Sequence, residues 1–195
     1  MIFLRRPNEE VIRAFLVDQA PLRVSYASMR SATPPAAFDV DHTRVRLAAG
    51  EKAFAVASDA LRQWQEFQLG WVTAIPDHTP IKEGEVVAVL ARVLGIWWLN
   101  ACRIVEVVDD DGAMRRFGFT YATLPGHVEC GQERFMIEWD KRDGTVWYDV
   151  LALSRPGHWL VRLGYPIARR IQRRFARESA AAMVRAVQGA CGRGE

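Results

Sequence analysis

One histidine and two glutamates lie close enough in the sequence to act together. His127, Glu129 and Glu133 occupy odd positions after a Pro-Gly pair, and alternate residues of a strand share one face of a sheet. Together with Arg103 of the preceding strand they form the best convergent polar set. A histidine beside a carboxylate can transfer protons, and an arginine can hold an anionic group through two hydrogen bonds. The candidate catalytic residues are therefore His127, Glu129 and Glu133.

Other interpretations compete with catalysis by this polar set. The favoured one is a satisfied hydrogen-bonded network that closes the end of a hairpin. Orientation of a ligand without chemistry lies between these two. Divalent-metal binding is geometrically allowed, but three scattered ligands are a weak signal, so we expect no metal and no other cofactor. A β-bulge at Gly131 would shift the register and turn half of the set outward.

An aromatic alternation precedes this set in the stretch from Arg116 to Trp139. Every second residue from Phe117 to Thr123 shares a face that should point inward, and Phe135 and Ile137 continue the apolar face after the turn. Asn100 adds an amide that can orient a ligand in an apolar pocket. The predicted ligand-binding residues are Asn100, Arg103, Phe117, Phe119, Tyr121, Thr123, His127, Glu129, Glu133, Phe135 and Ile137.

The elements that must position these residues follow from periodicity and turn signals. The pattern predicts helices over about 8–19 and 51–67, a weak strand near 24–27, and a strand over 42–48. About six strands follow between residues 69 and 153, divided by Pro, Gly and Asp pairs. A long helix then carries an apolar stripe, and Pro166 is expected to kink it or to divide it near Gly164 to Tyr165. Residues 189–195 should form a frayed tail.

This order predicts an α+β helix-grip fold, in which a curved antiparallel β-sheet wraps around a long C-terminal α-helix. We expect a single domain over residues 1–195, with residues 1–45 as an N-terminal extension that packs on the sheet. The stretch from Val86 to Leu94 is apolar on both faces. Either the N-terminal segment or a second subunit should cover it, which leaves a homodimer open.

Composition excludes several classes of protein. The chain has 195 residues, a net charge of +3 and three cysteines without CxxC spacing, which favours a reducing, cytoplasmic location over a disulfide framework. No segment has the pattern of a signal peptide or the length of a transmembrane helix. Arginines at 169, 170, 173, 174 and 177 crowd one helix side. A solvated face is favoured there, so we expect no nucleic-acid partner, and an anionic-surface interaction module is the alternative.

Three segments carry a family resemblance: ARVLGIWWLNACRIV, GFTYATLPGHVECGQERF and VWYDVLALSRP. They resemble the DUF1990 (UPF0548) family over most of the chain, from around Tyr26 through the terminal helix. That family is similar to the START/polyketide-cyclase-like (SRPBCC, Bet v 1-like) helix-grip superfamily. The resemblance implies a cavity between sheet and helix that takes lipids, polyketides or other apolar molecules, and it implies no established activity. The resemblance implies two adjacent acidic residues after Gly131, but Gln132 precedes Glu133 here, which argues against a role that needs two adjacent carboxylates.

The leading functional hypothesis is therefore binding of an apolar or amphipathic small molecule, lipid-, isoprenoid- or polyketide-like, between the sheet and the C-terminal helix. An enzyme of the cyclase or hydrolase type is the alternative. In that alternative His127 is the general base, and Glu129 or Glu133 orients it.

Overall fold

The computed structural model describes residues 1–26, 38–158 and 163–191. These parts of the chain contain an eight-stranded antiparallel sheet and three α-helices. The helices are α1 (Glu9–Gln19), α2 (Glu51–Arg62) and α3 (Tyr165–Cys191), and a 3₁₀ turn spans Gln65–Phe67. The strands are β1 (Ile2–Phe3), β2 (Asp39–Ala49), β3 (Val72–Ile75), β4 (Val86–Val93), β5 (Ile96–Asp111), β6 (Met114–Thr123), β7 (Glu129–Asp140) and β8 (Thr145–Pro156).

The sheet is a meander whose order is β2-β8-β7-β6-β5-β4-β3, with β1 paired to β5. All these pairs are antiparallel, so the α+β helix-grip class predicted from the sequence is confirmed. Strand β2 begins at Asp39 and thus brings part of the predicted N-terminal extension into the sheet itself.

The register of β7 runs without a bulge past Gly131, which pairs with Ser154. A Cβ atom on Gly131 would lie 2.0 Å from the carbonyl oxygen of Leu153, so glycine permits the close approach of β7 and β8. Because no residue is inserted, Glu129 and Glu133 remain on one face of the sheet.

Helix α1 lies on the outer face of the sheet. Asn8 caps it by accepting the Val11 N–H through its side chain at 2.9 Å. Ile12 and Phe15 pack against Ala88, Leu90 and Leu99 of β4 and β5. The N-terminal segment therefore covers the outer face of the doubly apolar strand. Residues 24–26 form no strand, contrary to the weak prediction for 24–27, whose last residue lies outside the described parts.

The helix predicted over 51–67 ends early, at Arg62. Trp64 adopts a left-handed backbone conformation with φ 53°, and its indole N–H donates to the Thr79 carbonyl at 2.8 Å. This buried hydrogen bond accompanies a change of chain direction into the 3₁₀ turn, which places Phe67 in the core.

Helix α3 is continuous, but its two halves have different surroundings. It begins at Tyr165, with Pro166 in its first turn, where a missing N–H costs nothing. The C-terminal half packs Met183 and Val187 into the main core. The helix continues to Cys191, so residues 189–191 of the predicted frayed tail are helical; residues 192–195 lie outside the described parts.

Candidate functional site

A cavity of about 460 Å³ lies between the inner face of the sheet and the N-terminal half of α3. Its walls are mainly apolar, and α3 contributes Ile171 and Phe175. Leu94 and Ile167 line it and are also exposed, at 80% and 46%, so they mark its mouth. Further lining residues are Phe67, Trp71, Val89, Ala91, Val93, Trp98, Val150, Ala152, Ala168 and Ala176.

Polar side chains attach the N-terminal half of α3 to the edge strand β2. The Arg169 guanidinium donates two hydrogen bonds to Asp41, at 2.5 and 2.8 Å. The Tyr165 hydroxyl donates to the Asp39 carboxylate at 2.8 Å. Because these contacts hold the helix at its edge, apolar side chains do not need to fill the space beneath it, and the cavity stays open.

Tyr121 and Glu133 form the central polar pair of the cavity. The Tyr121 hydroxyl donates to Glu133 Oε2 at 2.7 Å, across paired strands β6 and β7. Burial raises the pKa of Glu133 to about 7, and the hydrogen bond from Tyr121 offsets part of that rise. Near neutral pH this carboxyl group therefore exchanges readily between its charged and neutral forms, as a proton-transfer group must.

Glu129 forms a second polar contact, with helix α3. Gln172 Nε2 lies 2.7 Å from Glu129 Oε1 and 2.8 Å from Ser154 Oγ, and donates to both. Burial raises the pKa of Glu129 above its usual value, and the hydrogen bond from Gln172 offsets part of that rise. This contact engages one carboxylate oxygen of Glu129, a residue that lines the cavity.

His127 lies in the turn before β7, and its ring is bonded to the backbone. Its Nδ1 atom lies 2.9 Å from the Glu129 N–H and 3.1 Å from the Glu129 carbonyl oxygen. Burial lowers the pKa of His127 to about 4, and the backbone contact offsets part of that change. In the described parts of the chain, no side-chain hydrogen bond joins His127 to Glu129 or Glu133. The histidine–carboxylate pair that the alternative mechanism needs is therefore not formed here.

Asn100 and Thr123 line the cavity but use their polar atoms on the backbone. Asn100 Oδ1 accepts the Val128 N–H at 3.2 Å. Thr123 Oγ1 accepts the Gly131 N–H at 3.0 Å. Asn100 therefore stabilises the turn that carries His127, and Thr123 stabilises the start of β7.

The prediction that Arg103 joins the polar set of the cavity was wrong, because its side chain lies on the other face of the sheet. Its neighbours Cys102 and Ile104 are fully buried in the inner core, so strand alternation turns Arg103 outward. There its guanidinium donates to the carbonyl of Leu22 at 3.0 Å and to that of Ala20. It holds the N-terminal segment on the outer face and does not line the cavity.

Four predicted lining residues belong to the solid core instead. Phe117, Phe119, Phe135 and Ile137 are at most 5% exposed, and none of them lines the cavity. The reason is the segment from α2 to the 3₁₀ turn, which covers this half of the concave face. Its aromatic rings lie directly on them: the Phe119 ring centroid is 4.9 Å from that of Trp64.

Glu66 is the most unusual buried group that the sequence did not single out. It is 0% exposed, and neither carboxylate oxygen has a hydrogen-bond partner among the described residues. Burial raises the pKa of Glu66 well above its usual value, and nearby Glu133 adds to that rise. Burial therefore disfavours the charged form of Glu66, and this carboxyl group interacts electrostatically with Glu133 of the cavity wall.

The described residues contain neither a metal-ligand cluster nor a helix that could span a membrane. No three His, Cys, Asp or Glu side chains in those parts of the chain lie together as metal ligands would. Cys102 is buried, and burial raises the pKa of its thiol. No described helix combines the length and apolar character of a bilayer span.

A curved antiparallel sheet that holds a long C-terminal helix across a cavity defines a helix-grip protein of the α+β class. The family model described as "Domain of unknown function (DUF1990)" matches residues 23–182. The chain belongs to this family.

Curated relatives match almost end to end. A UPF0548 protein from Dictyostelium discoideum is 35% identical, over 96% of this chain and 96% of its own length. A UPF0548 protein from Deinococcus radiodurans is 36% identical, over 95% of this chain and 98% of its own. A hypothetical protein from Helicobacter pylori, solved by crystallography, is 11% identical with a TM-score of 0.50, over 82% of this chain and 97% of that one. This last likeness concerns the fold alone.

Proposed function

We propose that this protein binds an apolar or amphipathic small molecule, lipid-, isoprenoid- or polyketide-like, in the cavity between the sheet and α3. The observation that carries the proposal is the 460 Å³ cavity itself. Its size lies within the roughly 300–1,000 Å³ that small-molecule sites occupy, and its apolar walls with a few polar groups are typical of such sites.

The polar pair of Tyr121 and Glu133, together with Glu129, would set the orientation of the ligand. The apolar part of the ligand would contact Ile171 and Phe175. Burial of apolar surface supplies the affinity, at about 0.8 kcal/mol for each CH₂ group. Hydrogen bonds at the polar end supply the selectivity.

A fluorescence titration with the neutral apolar probe N-phenyl-1-naphthylamine tests this proposal. Ala168→Trp places a large ring in the cavity, whereas Ala181→Trp adds the same ring on an exposed position of the same helix. We expect saturable binding to the wild type and to Ala181→Trp, and at least about tenfold weaker binding to Ala168→Trp. Binding that does not saturate, or that is equal in all three proteins, would reject the cavity as the site.

A second candidate function is proton transfer to or from the bound molecule. The observation that favours it is the pKa of about 7 for Glu133, beside the Tyr121 hydroxyl; a general acid–base group works best with a pKa near the operating pH. Glu133, and not His127, is then the acid–base group. In a turnover assay on the molecule that co-purifies, Glu133→Gln should abolish conversion and His127→Ala should retain it. The reverse order would reject this assignment.

A further inference from the structure

The charged side chains that line the cavity, among the residues that the structure describes, are acidic. Among the described residues that line the cavity there is no lysine or arginine, whereas Asp41, Glu129 and Glu133 all line it. His127 also lines it, and its lowered pKa leaves the ring neutral at physiological pH. An anionic head group would therefore find repulsion here and no cation to pair with.

Two positive groups next to lining residues, Arg169 and the amino group of Met1, already have partners. Arg169 is paired with Asp41, and it lies 3.9 Å from Asp39 at its nearest approach. The amino group of Met1 donates to the Leu99 carbonyl at 2.6 Å, and burial lowers its pKa. Neither group offers a free positive charge to a ligand in the cavity.

Within the described residues, the titratable groups that interact electrostatically with Glu133 include no cation. Those that influence it, or that it influences, are Asp41 of β2, Glu66 of the 3₁₀ turn, Cys102 of β5, Tyr121 of β6, Glu129 of its own strand and Tyr148 of β8. On α3, Gln172 contacts Glu129 and Arg169 acts on Glu129 through its charge. The polar end of the cavity therefore offers hydrogen-bond acceptors and negative charge.

We propose that the cavity takes an amphipathic amine, a molecule with an apolar body and a protonated nitrogen that donates hydrogen bonds to the free carboxylate oxygens of Glu133 and Glu129. This inference rests on the proposed function and names the chemical class of its ligand. The positive nitrogen restores the hydrogen bonds and the charge balance that the acidic wall lacks, and the apolar body fills the space along α3.

Amine binding has a pH dependence whose sign follows from the site. Below pH 7 the Glu133 carboxyl group is mainly protonated, since burial raises its pKa to about 7. A protonated amine then binds with release of that proton, and affinity rises as the pH increases from about 6 to 8. Binding of a neutral molecule with the same apolar body does not depend on pH in this way.

Three probes with the same ten-carbon chain separate the classes: decylamine, decan-1-ol and decanoate. At pH 8 we expect decylamine to bind the wild type at least about tenfold more tightly than decan-1-ol, because it adds a charge-assisted hydrogen bond. Decanoate should bind more weakly than decan-1-ol. Titration calorimetry in two buffers with different ionisation enthalpies should show proton release on binding of decylamine at pH 6.5.

Glu133→Gln keeps the shape and the acceptor for Tyr121 but removes the charge, and exposed Glu83→Gln is the matched control. Only the first variant should lose the preference for decylamine. Equal or tighter binding of decan-1-ol or decanoate, a preference retained in Glu133→Gln, or binding without proton release would overturn the amine assignment and leave the cavity proposal standing. If none of the three probes binds, the cavity proposal itself fails. Proton release is measured on the wild type, so that arm does not depend on how the variant folds.

Discussion

Replacement of Glu133 by glutamine should stabilise the protein, and more so as the pH rises. Burial raises the pKa of Glu133 from 4.5 to about 7. Between these values the native state binds more protons than the unfolded chain, so this group lowers stability progressively as the pH increases. At 1.36 kcal/mol for each pKa unit, the penalty at pH 8 is about 3 kcal/mol. Glutamine cannot ionise, and it retains an acceptor for the Tyr121 hydroxyl.

Urea unfolding of the wild type and Glu133→Gln between pH 5 and pH 8 measures this effect. We expect the variant to gain about 2 to 3 kcal/mol in its free energy of unfolding relative to the wild type across this range. Other groups can also change their protonation with pH, so the quantity to compare is the difference in the free energy of unfolding between the two proteins at each pH. Exposed Glu83→Gln should show a difference that does not change with pH.

A constant difference between Glu133→Gln and the wild type across this range would refute the assignment of a buried, destabilised carboxylate. So would a loss of stability in the variant at pH 8. If the predicted gain is found, the native protein carries an acidic group at a cost in stability, which is typical of functional sites.

Further variants test the placement of other residues. Arg103→Ala should lower the free energy of unfolding by about 1 kcal/mol through loss of its bonds to the N-terminal segment, and leave probe binding unchanged; a large loss of binding would return it to the site. Phe119→Ala, in the solid core, should cost about 3–5 kcal/mol in urea unfolding; a cost below about 1 kcal/mol would place it against open space. Arg170 and Arg173 are exposed, so Arg170→Glu/Arg173→Glu should change stability by less than about 0.5 kcal/mol. Wild-type protein should not sediment with anionic vesicles; sedimentation that weakens with salt and is lost in this double variant would favour the interaction module.

Strand alternation correctly placed three polar side chains on one face of the sheet. Tyr121, Glu129 and Glu133 lie on one side of β6 and β7, as their spacing indicated. The same rule, applied to β5, would have excluded Arg103, because the buried residues on either side of it face inward. The error arose because Arg103 was chosen for its charge, without regard to the face of the strand on which it lies.

Coverage of the sheet could not be read from the sequence in the same way. Phe117, Phe119 and Tyr121 share the inward face of β6. Helix α2 and the 3₁₀ turn cover Phe117 and Phe119, whereas Tyr121 lines the cavity beneath α3. Which helix covers which part of a strand depends on contacts between residues far apart in the chain. A periodic pattern contains no information about such contacts.

The attachment of α3 shows the same limit. Arg169 was assigned to a solvated arginine face, yet it pairs with Asp41, 128 residues away. The alternation of Asp39, Asp41 and Thr43 was a visible signal that acidic groups share a face of β2. Their partner could not be identified without the fold. Glu66 gave no signal, because its burial depends on the break at Trp64.

The most direct test of the cavity as a binding site is native mass spectrometry of the gently purified wild type beside Ala168→Trp and Ala181→Trp. We predict a bound small molecule on the wild type and on Ala181→Trp, released on denaturation and carrying a basic nitrogen, and little or none on Ala168→Trp. An equal amount of the same molecule on all three proteins would contradict the account. So would a wild type that carries nothing and shows no saturable binding of the neutral probe.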